Sequence, residues 1–103
     1  MIARRFKVPL KNFPFRTATS VLTPYFSFKI IPNTLAHARY AVIIGVKAEK
    51  RAARRNFWKR RILDTLASQN ISGFDIVCVV GARVKEITSS VQLNQIITKA
   101  LTH

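Results

Sequence analysis

Residues 40–67 read YAVIIGVKAEKRAARRNFWKRRILDTLA. Within this stretch the spacing of the apolar residues changes once, from a strand pattern to a helix pattern. Residues 40–46 form a short, continuously apolar and β-branched run, which is typical of a strand covered on both faces. From about residue 48 to 67 there is no Pro or Gly, and Trp58, Ile62 and Leu66 recur every four residues. That spacing places one apolar stripe on a helix, with Arg and Lys on both sides of it. The stretch therefore predicts a strand that leads into a basic helix.

The flanking sequence predicts two more strands and a closing helix. Residues 25–31 are aromatic and β-branched and end at Pro32-Asn33, so we expect a strand and a turn, antiparallel to residues 40–46 across the loop NTLAHAR. Residues 75–80, DIVCVV, form the most strand-like segment. Ser89 and Gln92 have capping-box spacing, and apolar residues follow at helical intervals up to residue 101. Residues up to about 20 are expected to be mostly irregular, with a turn or two around residues 13–18.

These elements predict an α+β fold, a small α/β sandwich with a mixed, mostly antiparallel sheet in which one helix crosses between two strands. The 103 residues correspond to a single domain, and a hydrophobic fraction of 49% is high enough for a packed core. No apolar run approaches the roughly 20 residues that span a bilayer. Pro9 and Pro14 disfavour an N-terminal transit helix, and the lone Cys78 is expected to be a buried, reduced thiol. We therefore expect a cytoplasmic protein.

Charge points to a polyanionic partner. Eighteen Lys and Arg stand against four Asp and Glu, a formal net charge of +14. Seven of the cations lie in residues 50–61, KRAARRNFWKRR, where like charges at i, i+4 such as Arg51 and Arg55 destabilise an isolated helix. A merely solvated face usually mixes both signs. Phosphate contacts are blind to sequence, but Asn56 and the aromatic residues favour RNA over DNA. Trp58 lies on the apolar stripe and is expected in the core, whereas Phe57 is undecided.

Catalysis by the chain alone is not expected. Two-metal phosphodiester hydrolysis needs clustered carboxylates, and no two acids of this chain lie within ten residues of each other. His37 lies in a predicted loop and His103 is the last residue, so a paired-histidine mechanism is equally unsupported. We predict no catalytic residue, no metal site and no small-molecule substrate or cofactor.

The basic run, with Val46-Lys47 before it, resembles the signature of the bacterial ribonuclease P protein component family. In that motif a strand is followed by a Lys, small residues, Arg-Asn and then Lys-Arg; the matching positions are Lys47, Ala52, Arg55, Asn56, Lys59 and Arg60. The flanks ARYAVIIGV and GFDIVCVVGARVKEITSSVQLNQIITKAL resemble the family's neighbouring elements. The resemblance covers about residues 16–101.

The resemblance implies a subunit that assists a catalytic RNA in removing the 5′ leader from precursor transfer RNA, with Mg²⁺ and the chemistry supplied by the RNA. The partners would be ribonuclease P RNA and precursor tRNA, and no membrane. It also implies a left-handed β-α-β crossover, related to a module of ribosomal proteins. The RNA-binding residues would be Lys47, Lys50, Arg51, Arg54, Arg55, Asn56, Lys59, Arg60 and Arg61.

The resemblance further implies a cleft for the leader strand. Its candidate residues are Phe13, Phe15, Arg16, Phe26 and Phe28. Core packing is an equal alternative for the aromatic residues, and Phe26 and Phe28, two apart on a strand, should be both in the cleft or both in the core. Pro9 and Pro14 weaken the N-terminal helix that the family has, so residues 1–16 are interpreted as a flexible basic arm, with ordering only on RNA as one alternative.

The sequence also departs from the family pattern at the end of the motif. Leu63 and Asp64 stand where a basic residue is usual, and Arg61, which occupies a usually apolar position, could replace it. The alternative function is a structural ribosomal or ribosome-associated RNA-binding protein without a nuclease role, since the same basic helix would serve it.

Overall fold

The computed structural model describes residues 8, 10, 13–35, 37–69 and 71–101. Within them lie four strands and two α-helices: β1 (Thr19–Leu22), β2 (Phe26–Pro32), β3 (Arg39–Ile43), α1 (Ala52–Ser68), β4 (Phe74–Val80) and α2 (Ser90–Leu101). A short 3₁₀ helix, Ala82–Glu86, connects β4 to α2. The predicted α+β class is confirmed. The arm interpretation of residues 1–16 falls mostly outside the described residues.

The strands form one mixed sheet in the order β1-β2-β4-β3. β2 is antiparallel to both β1 and β4, and β3 is parallel to β4, so α1 is the crossover between two parallel neighbours. The expected pairing of residues 25–31 with residues 40–46 is therefore wrong, because β4 lies between them. β4 is apolar along its length and buried on both faces, as a central strand must be. β3 lies at the edge and alternates between buried and half-buried positions, so it is not covered on both faces as predicted. The hand of the crossover stays a prediction.

Two boundaries differ from the prediction, and one strand was missed. β1 begins at the end of the stretch expected to be irregular and continues past it, and its pairing with β2 is supported by a turn in which the Thr23 hydroxyl oxygen accepts from the Phe26 N–H at 2.8 Å. The β3 strand ends at Ile43, because a turn follows in which the Ala48 and Glu49 N–H groups donate to the Gly45 carbonyl at 3.1 and 3.2 Å. α1 consequently begins at Ala52 and not at residue 48, so the first cations of the run precede the helix.

The main core lies between one face of the sheet and the two helices. Trp58, Ile62 and Leu66 form the buried stripe of α1, as their spacing predicted. Leu93 and Ile97 of α2 are buried against the same sheet face. The α2 start follows the predicted cap, since the Gln92 N–H donates to the Ser89 hydroxyl oxygen at 3.1 Å. Cys78 is fully buried in this core, and burial raises the pKa of its thiol, as expected of an unreactive side chain.

A second, smaller cluster covers the opposite face of the sheet. Val77 of β4 is fully buried there beneath Val8 and Phe13, which belong to the segment before β1. The Val8 N–H donates to the Tyr40 carbonyl at 3.0 Å, which ties that segment to the edge strand β3. We refer to this side as the arm face of the sheet. It is the side on which Val8 and Phe13 pack.

An ion pair joins the β3 edge to the central strand on the arm face. Asp75 is buried and accepts from Arg39 at two positions, Nε at 2.9 Å and Nη2 at 2.6 Å, and from Asn33 Nδ2 at 2.8 Å. Burial opposes ionisation of Asp75, but the hydrogen bonds from Arg39 and Asn33 and the charge of Arg39 outweigh it. The pKa of Asp75 therefore lies below its usual value.

This ion pair predicts a loss of stability in acid. Because the pKa of Asp75 is lower in the folded than in the unfolded chain, its contribution is complete above the unfolded value, about 3.9, and is lost as the pH falls below it. Thermal unfolding between pH 7 and 2.5 should show this loss. Asp75→Asn should be less stable than the wild type at pH 7, and the difference should shrink in acid. A difference that stays constant down to pH 2.5 would contradict the prediction.

Candidate nucleic-acid interface

The predicted RNA-binding residues lie on and just before α1, on the side turned away from the core. Eight of the nine are exposed, and Arg55 is half-buried. The helix places Arg55 and Lys59, one turn apart, on one side of the buried stripe, and Arg54 and Arg61, two turns apart, on the other. Lys47, Lys50 and Arg51 precede the helix. The structure thus gathers these cations along α1 and the residues just before it, and the apolar stripe holds the helix against the sheet.

Glu49 organises the cations at the start of α1, a role that sequence reasoning missed. Its carboxylate is only 4% exposed. Oε1 accepts from the Arg51 N–H at 3.1 Å, and Oε2 accepts from Arg54 Nε at 3.3 Å. Because of the Arg51 hydrogen bond, and with help from the charges of Lys85 and Arg54, the pKa of Glu49 is lowered despite its burial. The sign of this role is at the start of α1, where Arg51 occupies the N-cap position and makes no side-chain cap hydrogen bond.

Arg55 also has a structural partner. Its Nη1 donates to the carbonyl oxygens of Glu49 at 3.0 Å and Lys50 at 2.9 Å. These bonds hold the guanidinium across the start of the helix while part of it faces solvent. Preorganised cations lose less side-chain entropy when they bind a phosphate. Arg55 therefore stabilises the backbone before α1 and also offers a positive charge to a polyanion.

The two aromatic residues within the basic run differ in their surroundings. Trp58 is buried in the core, as its place on the stripe predicted, and its indole N–H has no hydrogen-bond partner within the described residues. Phe57 is 48% exposed and packs edge-on against Trp58, with ring centroids 5.7 Å apart. The Arg61 guanidinium lies 5.0 Å from the centre of the Phe57 ring. Arg61 is therefore held over an exposed aromatic side chain. Its replacement of a basic residue near Leu63 stays a prediction.

The candidate cleft residues separate into two groups on opposite faces of the sheet. Phe26 and Phe28 are 2% and 0% exposed and belong to the helix-facing core. Their assignment to a leader cleft is corrected to the core alternative, because β2 turns both toward α1 and α2. Phe13 is buried on the arm face, and Phe15, 38% exposed, lies with its ring centroid 4.7 Å from that of Phe13. Arg16, the next residue in the sequence, is exposed.

Lys29 joins the arm-face group and was not predicted. It pairs with Val77 across the strands β2 and β4, and Val77 is the residue covered by Phe13. Side chains of directly paired strand residues share a face. The Lys29 ammonium donates to the Ser20 hydroxyl oxygen at 2.6 Å. The alternation of β2 carried the signal: once Phe28 faces the core, its neighbour Lys29 faces the other side.

The described residues contain no group of three or more His, Cys, Asp or Glu side chains placed to hold a metal ion. His37 lies in the loop before β3, as expected, and His103 is outside the described residues. Three of the four acids form ion pairs: Asp75 with Arg39, Glu49 with Arg54, and Glu86 with Arg83. No helix in the described part of the chain is long and apolar enough to cross a membrane.

Comparison with proteins of known structure supports the fold. The ribonuclease P protein of Thermotoga maritima superimposes with a TM-score of 0.79 at 19% identity, over 91% of this chain and 94% of that one. The ribonuclease P protein of Staphylococcus aureus gives 0.71 at 23% identity, over 82% and 78%. At these identities the similarity concerns the fold alone.

Comparison of sequences identifies the family. The ribonuclease P protein component of Idiomarina loihiensis is 34% identical over 83 residues, which are 79% of this chain and 63% of that protein. The Chromobacterium violaceum component is 44% identical over 48 residues, 45% of this chain and 40% of the relative. The matches thus span less than two thirds of the length of these relatives. The sequence model of the family described as Ribonuclease P matches residues 12–103. Since that match covers most of the sequence, this chain belongs to the ribonuclease P protein family.

Proposed function

We propose that this chain is the protein subunit of ribonuclease P, which assists a catalytic RNA in the endonucleolytic removal of the 5′ leader from precursor tRNA. The observation that carries the proposal is the exposed basic face of α1, supported by membership of the family. The subunit binds the RNA component through that face and the leader through the arm face of the sheet. The protein acts in the cytoplasm and takes no small-molecule cofactor.

The basic face of α1 suits a folded RNA because some of its cations are held in place by hydrogen bonds and others are exposed to solvent. Arg54 and Arg55 are anchored by hydrogen bonds at the helix start, whereas Lys59 and Arg60, one turn further along, are exposed. Cations of this kind neutralise phosphates and release counterions. The exposed Asn56 amide can both donate and accept within a structured site. The face therefore reduces the phosphate repulsion between a catalytic RNA and its substrate.

The arm face provides a different surface, which suits a single strand. Phe15 exposes part of an aromatic ring, Arg16 follows it in the sequence and is exposed, and Lys29 supplies a charge on the same face of the sheet. Stacking of bases on aromatic rings, combined with backbone contacts to cations, is a common way to hold single-stranded RNA without reading its sequence. This arrangement replaces the cleft that included Phe26 and Phe28.

The catalytic step belongs to the RNA in this proposal. Asp75, Glu49 and Glu86 each accept hydrogen bonds from an arginine, and the pKa of each is lowered. Carboxylates committed to such pairs are poor candidates for a general base, and they lie on separate elements. The donor set of the described residues does not fit a two-metal site. The Mg²⁺ required for the reaction is bound by the RNA component, and the protein contributes binding and orientation.

Cleavage of a 5′-extended precursor tRNA at low Mg²⁺ tests the proposal. The reaction is run with the purified protein, with a bacterial ribonuclease P RNA, and with both. We expect cleavage at the mature 5′ end to be stimulated in the combined reaction, and no cleavage by the protein alone. If about five phosphates are contacted, log affinity plotted against log salt should fall with a slope of about −3.5 to −4.5.

Two results would contradict the proposal. A folded protein that gives no stimulation with a cognate RNA would remove the subunit role. Recovery of ribosomal RNA in place of one large noncoding RNA, when the protein is isolated from cells, would favour the structural ribosomal alternative.

A further inference from the structure

A surface cavity of about 290 Å³ lies where the start of α1 meets the 3₁₀ helix. It is lined by Glu49, Lys50, Arg51, Arg54 and Lys85. Four of these five residues are cations. Three come from the run before and within α1, and Lys85 comes from the segment after β4, more than thirty positions later in the sequence. The fold thus adds a cation to the basic run that no local sequence pattern indicates.

The charge in this cavity is not balanced by the protein. Three ion pairs are present among the described residues, and they involve Arg39, Arg54 and Arg83. Lys50, Arg51 and Lys85 are in none of them. Glu49 is the only acid in the lining, and its two oxygens already accept from the Arg51 N–H and from Arg54 Nε. Four cations against one carboxylate leave the cavity with a formal charge of +3.

An anion is the ligand that this arrangement suits. Cations from two separate elements that surround one cavity repel each other, and a bound phosphate removes that repulsion through charge-assisted hydrogen bonds. The cavity is continuous in sequence and in space with the basic face of α1, because Arg54 belongs to both and Arg51 directly precedes the helix. A polyanion lying along α1 would therefore pass over it.

We propose that this cavity binds a backbone phosphate of the RNA that contacts α1, with Lys85 as a direct contact and Glu49 as a positioning residue. The inference rests on the proposed function and adds a subsite to it. Each carboxylate oxygen of Glu49 already accepts one hydrogen bond. Its hydrogen bonds fix the Arg51 backbone and the Arg54 side chain, so that the cations are already in place when the phosphate arrives.

Lys85→Gln tests the direct contact, by measuring binding to a bacterial ribonuclease P RNA at several salt concentrations. Loss of one phosphate contact should weaken binding about 4- to 5-fold near 0.15 M salt and reduce the magnitude of the salt slope by about 0.7 to 0.9. The matched control is Lys99→Gln, an exposed lysine of α2 that does not line the cavity. Lys85→Gln and Arg54→Gln should be non-additive if both side chains contact one phosphate. Equal behaviour of the Lys85 and Lys99 variants would overturn the contact.

Glu49→Gln tests the positioning role by the sign of its effect. Removing a negative charge from an RNA-binding surface should strengthen binding if charge alone matters. If Glu49 positions Arg51 and Arg54, the substitution should weaken binding, although the net charge of the protein rises. Glu86→Gln is the matched control, because Glu86 is an exposed acid that pairs with Arg83 outside the cavity. Stronger binding in both variants would overturn the positioning role.

The outcomes also separate this inference from the proposed function. A wild-type protein that binds RNA but does not stimulate cleavage would defeat the subunit role, while the comparison of Lys85 with Lys99 would still decide the subsite. Stimulation of cleavage by the wild type, with equal binding by those two variants, would defeat only the subsite. Absence of any RNA binding would defeat both.

Discussion

Phe28→Ala is expected to destabilise the folded chain by about 3–5 kcal/mol, because it removes a fully buried aromatic side chain and leaves a cavity beneath both helices. For a domain of this size that corresponds to a decrease in Tm of roughly 15–30 °C. Thermal unfolding followed by circular dichroism measures it. Phe74→Ala is the matched control, since Phe74 lies in β4 but is 42% exposed, and its loss should cost less than about 1 kcal/mol.

Variants of Phe28 also distinguish its assignment to the core from its assignment to the leader cleft. Phe28→Leu keeps much of the apolar volume and should leave most of the molecules folded, at a cost of about 1–2 kcal/mol. If Phe28 only supports the core, RNA binding by the folded Phe28→Leu protein should match that of the wild type. Unchanged stability of Phe28→Ala together with weaker binding of the leader would instead restore the cleft assignment.

Local patterns were sufficient for the buried faces of the helices and for the central strand. The four-residue spacing of Trp58, Ile62 and Leu66 determined which side of α1 is buried, and therefore where its cations lie. The cap at Ser89 and the continuous apolar run of β4 were equally clear. In each case the signal depends on side chains close together in sequence. Tertiary packing confirmed those signals without changing them.

Strand order was not accessible in the same way, because it depends on which distant segments compete for a place in the sheet. The loop between β2 and β3 is short enough for a hairpin, yet β4 is inserted between them and pairs with both. A strand buried on both faces gains more in the centre than at an edge. β1 was missed for a related reason. Its four residues are mostly exposed, so the strand is stabilised by its pairing with β2 and has no apolar pattern of its own.

The candidate site was likewise predictable only where the signal is local in sequence. The exposed cations of α1 followed from charge and periodicity, whereas Phe26 and Phe28 could be placed only as a pair, since spacing shows that they share a face but not which face. Glu49 was not singled out by the sequence, although it is a buried acceptor for two arginine groups. Lys85 reaches the same place only through the fold.

Simultaneous replacement of Arg55, Lys59 and Arg60 by Gln is expected to weaken binding to ribonuclease P RNA about 100-fold near 0.15 M salt. Each phosphate contact contributes a factor of about 4 to 5 at that concentration, and three contacts multiply. The magnitude of the salt slope should fall by about 2 to 3, and the difference from the wild type should nearly vanish toward 1 M salt. Filter binding or fluorescence anisotropy across a salt series measures both quantities.

The electrostatic interpretation of α1 also requires that the triple variant remains folded. Arg55 holds the backbone before the helix, so Lys59→Gln with Arg60→Gln is the safer companion variant; both side chains are exposed, and no hydrogen bond ties either within the described residues. It should lose about 20-fold in affinity with an unchanged Tm, because two contacts are removed and nothing in the core moves. Lys99→Gln, one exposed charge on α2, should leave the slope unaltered. An affinity loss in the companion variant that persists unchanged at 1 M salt would mean that Lys59 and Arg60 act through shape or base contacts, and the electrostatic role of α1 would have to be abandoned.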